Sequence, residues 1–232
     1  MKLAVMQPYL FPYIGYFQLI NAVDKFVIYD DVNFIKKGWI NRNNLLINGH
    51  ANLFTVPLKN SSQNKLIKEI EISRSEKWEK DLLKTLEISY KKSQYFEEVY
   101  KIIECIIQND EKNISAFIYF SLQKINNYLE IKTEIVKSSS LYLNNYLKQS
   151  ERIIDICKKE NADEYINPSG GMELYSKELF RKNGLSLNFI KTNNIVYEQF
   201  NGNFEKSLSI IDVMMFNSKT KIKELLNEYE LI

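Results

Sequence analysis

The order of apolar runs at the start of the chain constrains the fold more than any other feature. Leu3 to Met6 reads as a short buried strand. Gln7-Pro8 ends it, because proline cannot continue a central ladder. A helical spacing follows Pro12, through Ile14, Phe17, Leu19, Ile20 and Val23, and ends near Asp24. Phe26 to Tyr29 is a second strand. This order is a βαβ unit, which implies a parallel pair joined by a right-handed crossover. The loops around Gln7 and Asp30 then lie at the carboxyl ends of their strands, the edge where open α/β sheets bind ligands.

Further along, Leu45 to Ile47 and Leu53 to Leu58 flank Asn48-Gly49, a hairpin signal. Ser73 is a candidate cap for a helix starting near Glu76, with Trp78, Leu82, Leu83 and Leu86 on one face. Two more helical spacings follow, one through Phe96 to Ile106 and one through Ile114 to Leu129. Residues 76–130 therefore read as a helical insertion between α/β parts. Alternation then returns. Glu134 to Lys137 is strand-like, Ser150 caps a helix through Cys157, and Glu164 to Ile166 is a strand. A helix through Leu174, Leu179 and Phe180 stops at Asn183-Gly184, where glycine suits the position after a helix. Leu185 to Ile190 is a strand, and Ser207 opens a last helical region. The expected architecture is an α/β, Rossmann-like, mostly parallel sheet flanked by helices, in one domain over residues 1–232.

Composition narrows the partners. Net charge is +2, with 31 basic and 29 acidic side chains largely interleaved, so nothing demands nucleic acid. No apolar run reaches the roughly 18 residues of a membrane span, and no leader pattern opens the chain. Cys105 and Cys157 both fall in helical apolar patterns and read as buried reduced thiols of a cytoplasmic protein. A nucleophilic Cys157 would need a base, and the single histidine, His50, sits beside a hairpin turn.

Chemistry concentrates in residues 30–43, which read Asp-Asp-Val-Asn-Phe-Ile-Lys-Lys-Gly-Trp-Ile-Asn-Arg-Asn. Asp30 and Asp31 fall on opposite faces if the strand geometry continues. Either can act as a general base or bind an amine; equally, either can cap a turn or pair with Lys36 or Lys37. No His or Cys cluster accompanies them, so no metal is expected. Lys37 and Arg42 suit a pyrophosphate or carboxylate, and surface charge is the alternative. Trp39 can stack on a base or sugar, or pack half-buried. Asn41 and Asn43 can meet carbonyls and hydroxyls, or form turns.

Two further loops qualify. Asn167-Pro-Ser-Gly-Gly171 opens a helix after a strand, so Ser169 and Gly170 are candidates for ligand contact through backbone N–H groups. Tyr13-Ile-Gly-Tyr16 stands where nucleotidylyltransferases carry His-x-Gly-His, with tyrosine at both histidine positions.

Four segments together resemble the WbqC-like protein family: Met6 to Phe17, Asp30 to Asn43, Thr55 to Leu58, and Ser207 to Asp212 with Asn217 after it. The resemblance implies a role in bacterial surface-polysaccharide (O-antigen) biosynthesis. It implies a transferase joining an acyl or aminoacyl group to the amine of a dTDP- or UDP-linked amino sugar, with no cofactor and with a carrier-protein thioester as a candidate donor. On matching positions it carries over Gln7, Asp30, Asp31, Lys37, Trp39, Arg42 and Asn43. In that reading Asp30 or Asp31 takes the amine proton, and Asn41 or Gln7 meets the oxyanion. Lys37 and Arg42 hold the pyrophosphate, while Trp39 stacks. Asn44 replaces an expected basic residue. Two alternatives stay open: nucleotidyl transfer or ATP-dependent ligation near Tyr13 and Tyr16, and a non-catalytic assembly partner with apolar surface on the middle helices.

Overall fold

A computed structural model describes residues 1–200 and 202–232. The chain begins with β1 (Lys2–Met6), α1 (Ile14–Asn21) and β2 (Lys25–Ile28), the expected βαβ unit. A hairpin of β3 (Arg42–Ile47) and β4 (His50–Thr55) follows, then the short antiparallel pair β5 (Leu58–Lys59) and β6 (Glu71–Ile72). Three helices come next: α2 (Glu76–Tyr90), α3 (Phe96–Ile107) and α4 (Ile114–Leu129). The rest is β7 (Glu134–Val136), α5 (Gln149–Lys159), β8 (Glu164–Pro168), α6 (Lys177–Lys182), β9 (Ser186–Thr192), α7 (Ile210–Phe216), α8 (Lys219–Leu225) and β10 (Tyr229–Leu231).

Six strands form one sheet in the order β10-β9-β8-β1-β2-β7, parallel except for the antiparallel edge strand β10. Side-chain alternation sorts its two faces. Ala4, Phe26 and Ile28 join a core with α1, α2 to α4, α7 and α8. Leu3, Val5 and Val27 join a second core with Ile153, Cys157 and Phe180 of α5 and α6. Apolar contact on both faces is what drives a parallel sheet to be covered twice. The chain leaves β1 toward β2 and β7, then crosses back to β8 on the other side of β1. The switch point thus lies between the carboxyl ends of β1 and β8, a position that favours ligand binding.

Local chemistry explains several boundaries. Asn48 and Gly49 both have positive φ (53° and 80°), the two-residue hairpin geometry that Asn-Gly favours. Asn113 caps α4 by accepting from the Ala116 N–H at 3.1 Å. Gly184 follows α6 with φ 78°, as its sequence position suggested.

Several expectations need correction. Leu53 to Leu58 is not one strand: Pro57 interrupts it, leaving β4 and β5 apart. The helix expected through Leu174 to Phe180 divides into a 3₁₀ segment (Ser169–Leu174) and α6, because Ser176 starts a new cap on the Leu179 N–H. The residue before α2 is Ser75, not Ser73, and its side chain makes no capping bond. Helix α5 starts at Gln149, so Ser150 lies within its first turn and does not cap it. The last helical region opens at Ser209 and not Ser207, with the Ser209 hydroxyl accepting from the Ile211 N–H. Cys105 is exposed on α3, whereas Cys157 is buried and its thiol is pushed up to about 12 by burial. Large exposed apolar side chains gather on the turn after β7, at Leu141, Leu143 and Tyr146, whereas α2 to α4 expose Ile88. No helix among the described residues is long and apolar enough to cross a membrane.

Candidate functional site

The loop after β1 is built by its neighbours. Phe11 takes φ 41°, a conformation costly for an aromatic residue. The side chain of Asn43 holds it there, donating from Nδ2 to the carbonyl oxygens of Leu10 (3.0 Å) and Phe11 (2.9 Å). The Ser209 hydroxyl also donates to the Phe11 carbonyl, at 2.8 Å. The Leu10 N–H donates to the Trp39 carbonyl at 3.0 Å, and the Ile210 N–H to the Pro12 carbonyl at 2.9 Å. Two segments far from it in sequence, 39–43 and 209–210, therefore fix this turn, and the turn presents Tyr13.

Tyr13 is 41% exposed and stands at the junction of two adjoining cavities. One, of about 340 Å³, is mostly aromatic, with Tyr9, Pro12, Tyr13, Trp39, Asn43 and Ser207 around it. The other, of about 240 Å³, has a polar wall that includes Thr192, Asn193, Asn194, Lys206 and Ser207. Gly15 makes the partition feasible. A Cβ there would lie 2.4 Å from the Tyr13 ring and 2.6 Å from Thr192 Oγ1. The ring thus folds over the first turn of α1, and burial raises its phenol above the ordinary value while its bond to Thr192 opposes that shift.

The expected site residues separate into groups. Tyr13, Trp39 and Asn43 meet at this groove, and Trp39 is 44% exposed. Tyr16 does not: it is buried, and its hydroxyl donates to the Gln7 carbonyl at 2.8 Å. Lys37 sits in an exposed turn with φ 61°. Arg42 spends its guanidinium on that turn, donating to the Lys37 carbonyl and, at 3.0 Å, to the Gly38 carbonyl. The Asn41 amide donates to the Val56 carbonyl at 2.8 Å. Gln7 and Ser169 each directly follow the last residue of their strand, β1 and β8, at the switch point, and both are half-buried. Gly170 is exposed beside them, at the start of the 3₁₀ segment and not of an α-helix.

Asp30 and Asp31 are not among the residues lining either cavity. They do point to opposite faces, continuing the alternation of β2. Asp30, 3% exposed, accepts from Ser115 of α4 at 2.7 Å and from Ser138 at 2.5 Å. Burial raises its carboxyl above the usual value, and those two hydroxyls pull it back. Asp31, 7% exposed, pairs with Arg152 of α5 at 2.5 Å and accepts from the Ser139 hydroxyl. Arg152 stacks over the Tyr29 ring at 4.8 Å and donates to Asn144 at 3.0 Å. The partner of Asp31 is thus Arg152, not Lys36 or Lys37.

Reading the sequence by segments missed the groove's second wall. Thr192, Asn193, Asn194, Lys206 and Ser207 come from β9 and the stretch after it. The available signal was length: residues 193–209 carry no helix or strand in any of their described positions, and such long connections in compact domains are usually functional.

No solved structure matches the chain. An uncharacterized protein of Mycobacterium tuberculosis is 28% identical over 219 residues, covering 93% of each chain. The sequence profile of the WbqC-like protein family matches residues 7–224, a span that contains the Tyr13 turn, Trp39, Asn43 and Asp212. This chain belongs to the WbqC-like protein family.

Proposed function

We propose that the protein is a transferase that takes a nucleotide-linked amino sugar into the groove at Tyr13 and acylates or aminoacylates its amine. One observation supports the reading: Tyr13 separates an aromatic lobe from a mixed lobe in which one wall is polar and bears Lys206, the polar lobe, while Ile14, Ile195, Phe204 and Val213 line the rest. A nucleotide sugar has matching halves. Its base stacks on Trp39 and Tyr9, since aromatic faces accept any base. Its phosphates and sugar hydroxyls meet Lys206 and the amides of Asn193 and Asn194. Together the lobes have the size of a small-ligand site.

In the reaction the sugar nitrogen attacks the acyl carbon of a thioester. The carbon–sulfur bond breaks, an amide forms, and the donor leaves as a thiol that takes up one proton. The Tyr13 hydroxyl is suited to donate to the developing oxyanion, because a phenol stays protonated near neutral pH and Tyr13 stands where the two lobes meet. Asp30 and Asp31 act at one remove. Their bonds to Ser115, Ser138, Ser139 and Arg152 hold the exit of β2 from which the Trp39 loop departs. A cytoplasmic place in surface-polysaccharide biosynthesis, with a carrier protein as thioester donor, is what the resemblance to the WbqC-like family implies and is part of the proposal. The nucleotidyl-transfer alternative is weakened by Tyr16, whose hydroxyl is committed to the Gln7 carbonyl.

The test is to incubate the protein with dTDP- or UDP-linked amino sugars and acyl or aminoacyl thioesters, and to follow amide formation by mass spectrometry. An unmodified amine and an intact thioester in every combination, alongside tight nucleotide-sugar binding, would restrict the role to binding.

A further inference from the structure

Among the described residues, no cation pairs with the buried carboxylate of Asp212. It lies in the first turn of α7 and is 0% exposed. Its Oδ1 accepts from the Tyr197 hydroxyl at 2.6 Å and from Gln199 Nε2 at 2.8 Å, and its Oδ2 from the Tyr90 hydroxyl at 3.0 Å. Taking a carboxylate out of water is costly unless its acceptors are filled. An apolar residue would pack this position more cheaply. What a carboxylate does there and leucine cannot is gather hydroxyl and amide donors into one charge-assisted set.

Two of those three donors come from the strap 193–209, which forms most of the polar lobe's wall. Gln199 also closes the strap on itself: its Oε1 accepts from the Glu205 N–H at 2.8 Å, and its Nε2 donates to the Glu205 carbonyl at 3.0 Å. The Tyr197 and Phe204 rings pack edge-on with centroids 5.0 Å apart. The third donor, Tyr90, belongs to α2 and accepts in turn from the Leu46 N–H at 2.7 Å. The carboxylate therefore ties the strap to α2 and to the hairpin.

We propose that Asp212 is a positioning residue: it latches strap 193–209 in the conformation that walls the polar lobe, so that ligand affinity depends on a group that touches no ligand. The inference rests on the reading of the groove as a nucleotide-sugar site. Gln199 lines neither lobe, so its replacement separates the latch from direct contact.

Two readouts on Gln199→Met and Tyr90→Phe proteins test it: calorimetric titration with UDP and dTDP, and cleavage by chymotrypsin within residues 193–209. Gln199→Met should lose about tenfold or more in affinity, the scale of one charge-assisted hydrogen bond, with cleavage rising by a similar factor. Tyr90→Phe should shift the melting temperature while leaving affinity within about twofold, because it loosens only the α2 side of the latch. Unchanged affinity and unchanged cleavage in Gln199→Met would overturn the latch. Should the wild-type protein bind neither nucleotide, the reading of the groove fails, and the cleavage rates alone decide the latch.

Discussion

Asn43 donates its single amide group to two consecutive carbonyls, those of Leu10 and Phe11, at 3.0 and 2.9 Å. The strand that follows Trp39 thereby fixes the turn that presents Tyr13. Both walls of the aromatic lobe depend on one buried side chain.

Asn43→Leu should therefore cost stability as well as binding. It takes the Asn43 donor from the Leu10 carbonyl and leaves the Phe11 carbonyl to the Ser209 hydroxyl alone, a loss of about 1–3 kcal/mol for a buried carbonyl that water cannot reach. Urea denaturation should show a lower midpoint with an unchanged slope. A midpoint equal to wild type would mean that the Ser209 hydroxyl alone holds the turn.

The Arg152–Asp31 pair predicts a different pattern. Both side chains are 4% exposed, so removing one strands the other without solvent. Arg152→Ala should destabilise by about 3–5 kcal/mol, and a double change to Met at 152 and Leu at 31 by clearly less. Chemical denaturation of the three proteins measures this. Equal losses in single and double variants would indicate that Asp31 is not stranded when Arg152 is removed.

Asp212 should make stability depend on pH in an unusual sense. Burial raises its carboxyl above the ordinary 3.8, and the bonds from Tyr197, Gln199 and Tyr90 only partly offset that. The folded state then holds the proton more tightly than the unfolded state. Its contribution is full below pH 3.8 and is lost as pH rises through the folded value. Asp212→Asn removes this drop, so the variant's stability relative to wild type should increase between pH 4 and pH 7. Urea midpoints across that range test the sign; a relative stability that falls with pH would contradict it.

The framework was legible because its signals are local and repeated. The spacing of Ile14, Phe17 and Ile20, and the pair Asn48-Gly49, each dictate a backbone state whatever surrounds them. Alternation even carried past the end of β2 to send Asp30 and Asp31 to opposite faces. Their partners were not legible. Ser115, Ser138 and Arg152 lie 85, 108 and 121 residues away and meet the aspartates only once α4, β7 and α5 have packed. Trp39, Tyr13 and Asn43 could be named as candidates because they sit in dense polar–aromatic runs. Lys206 and Thr192 could not, since each is unremarkable until the strap folds back beside Tyr13.

The central claim is that the groove between Tyr13 and Trp39 binds a nucleotide. The chain has two tryptophans, and Trp78 lies on α2, outside the groove. In a Trp78→Phe protein, fluorescence reports on Trp39 alone. Titration with UDP and dTDP should quench it saturably, and a further Trp39→Ala change, followed by calorimetry, should weaken binding by about 1–3 kcal/mol, the scale of one base–aromatic stack. Fluorescence that stays flat to millimolar nucleotide, with no heat of binding from either nucleotide or its amino-sugar conjugate, would contradict the account.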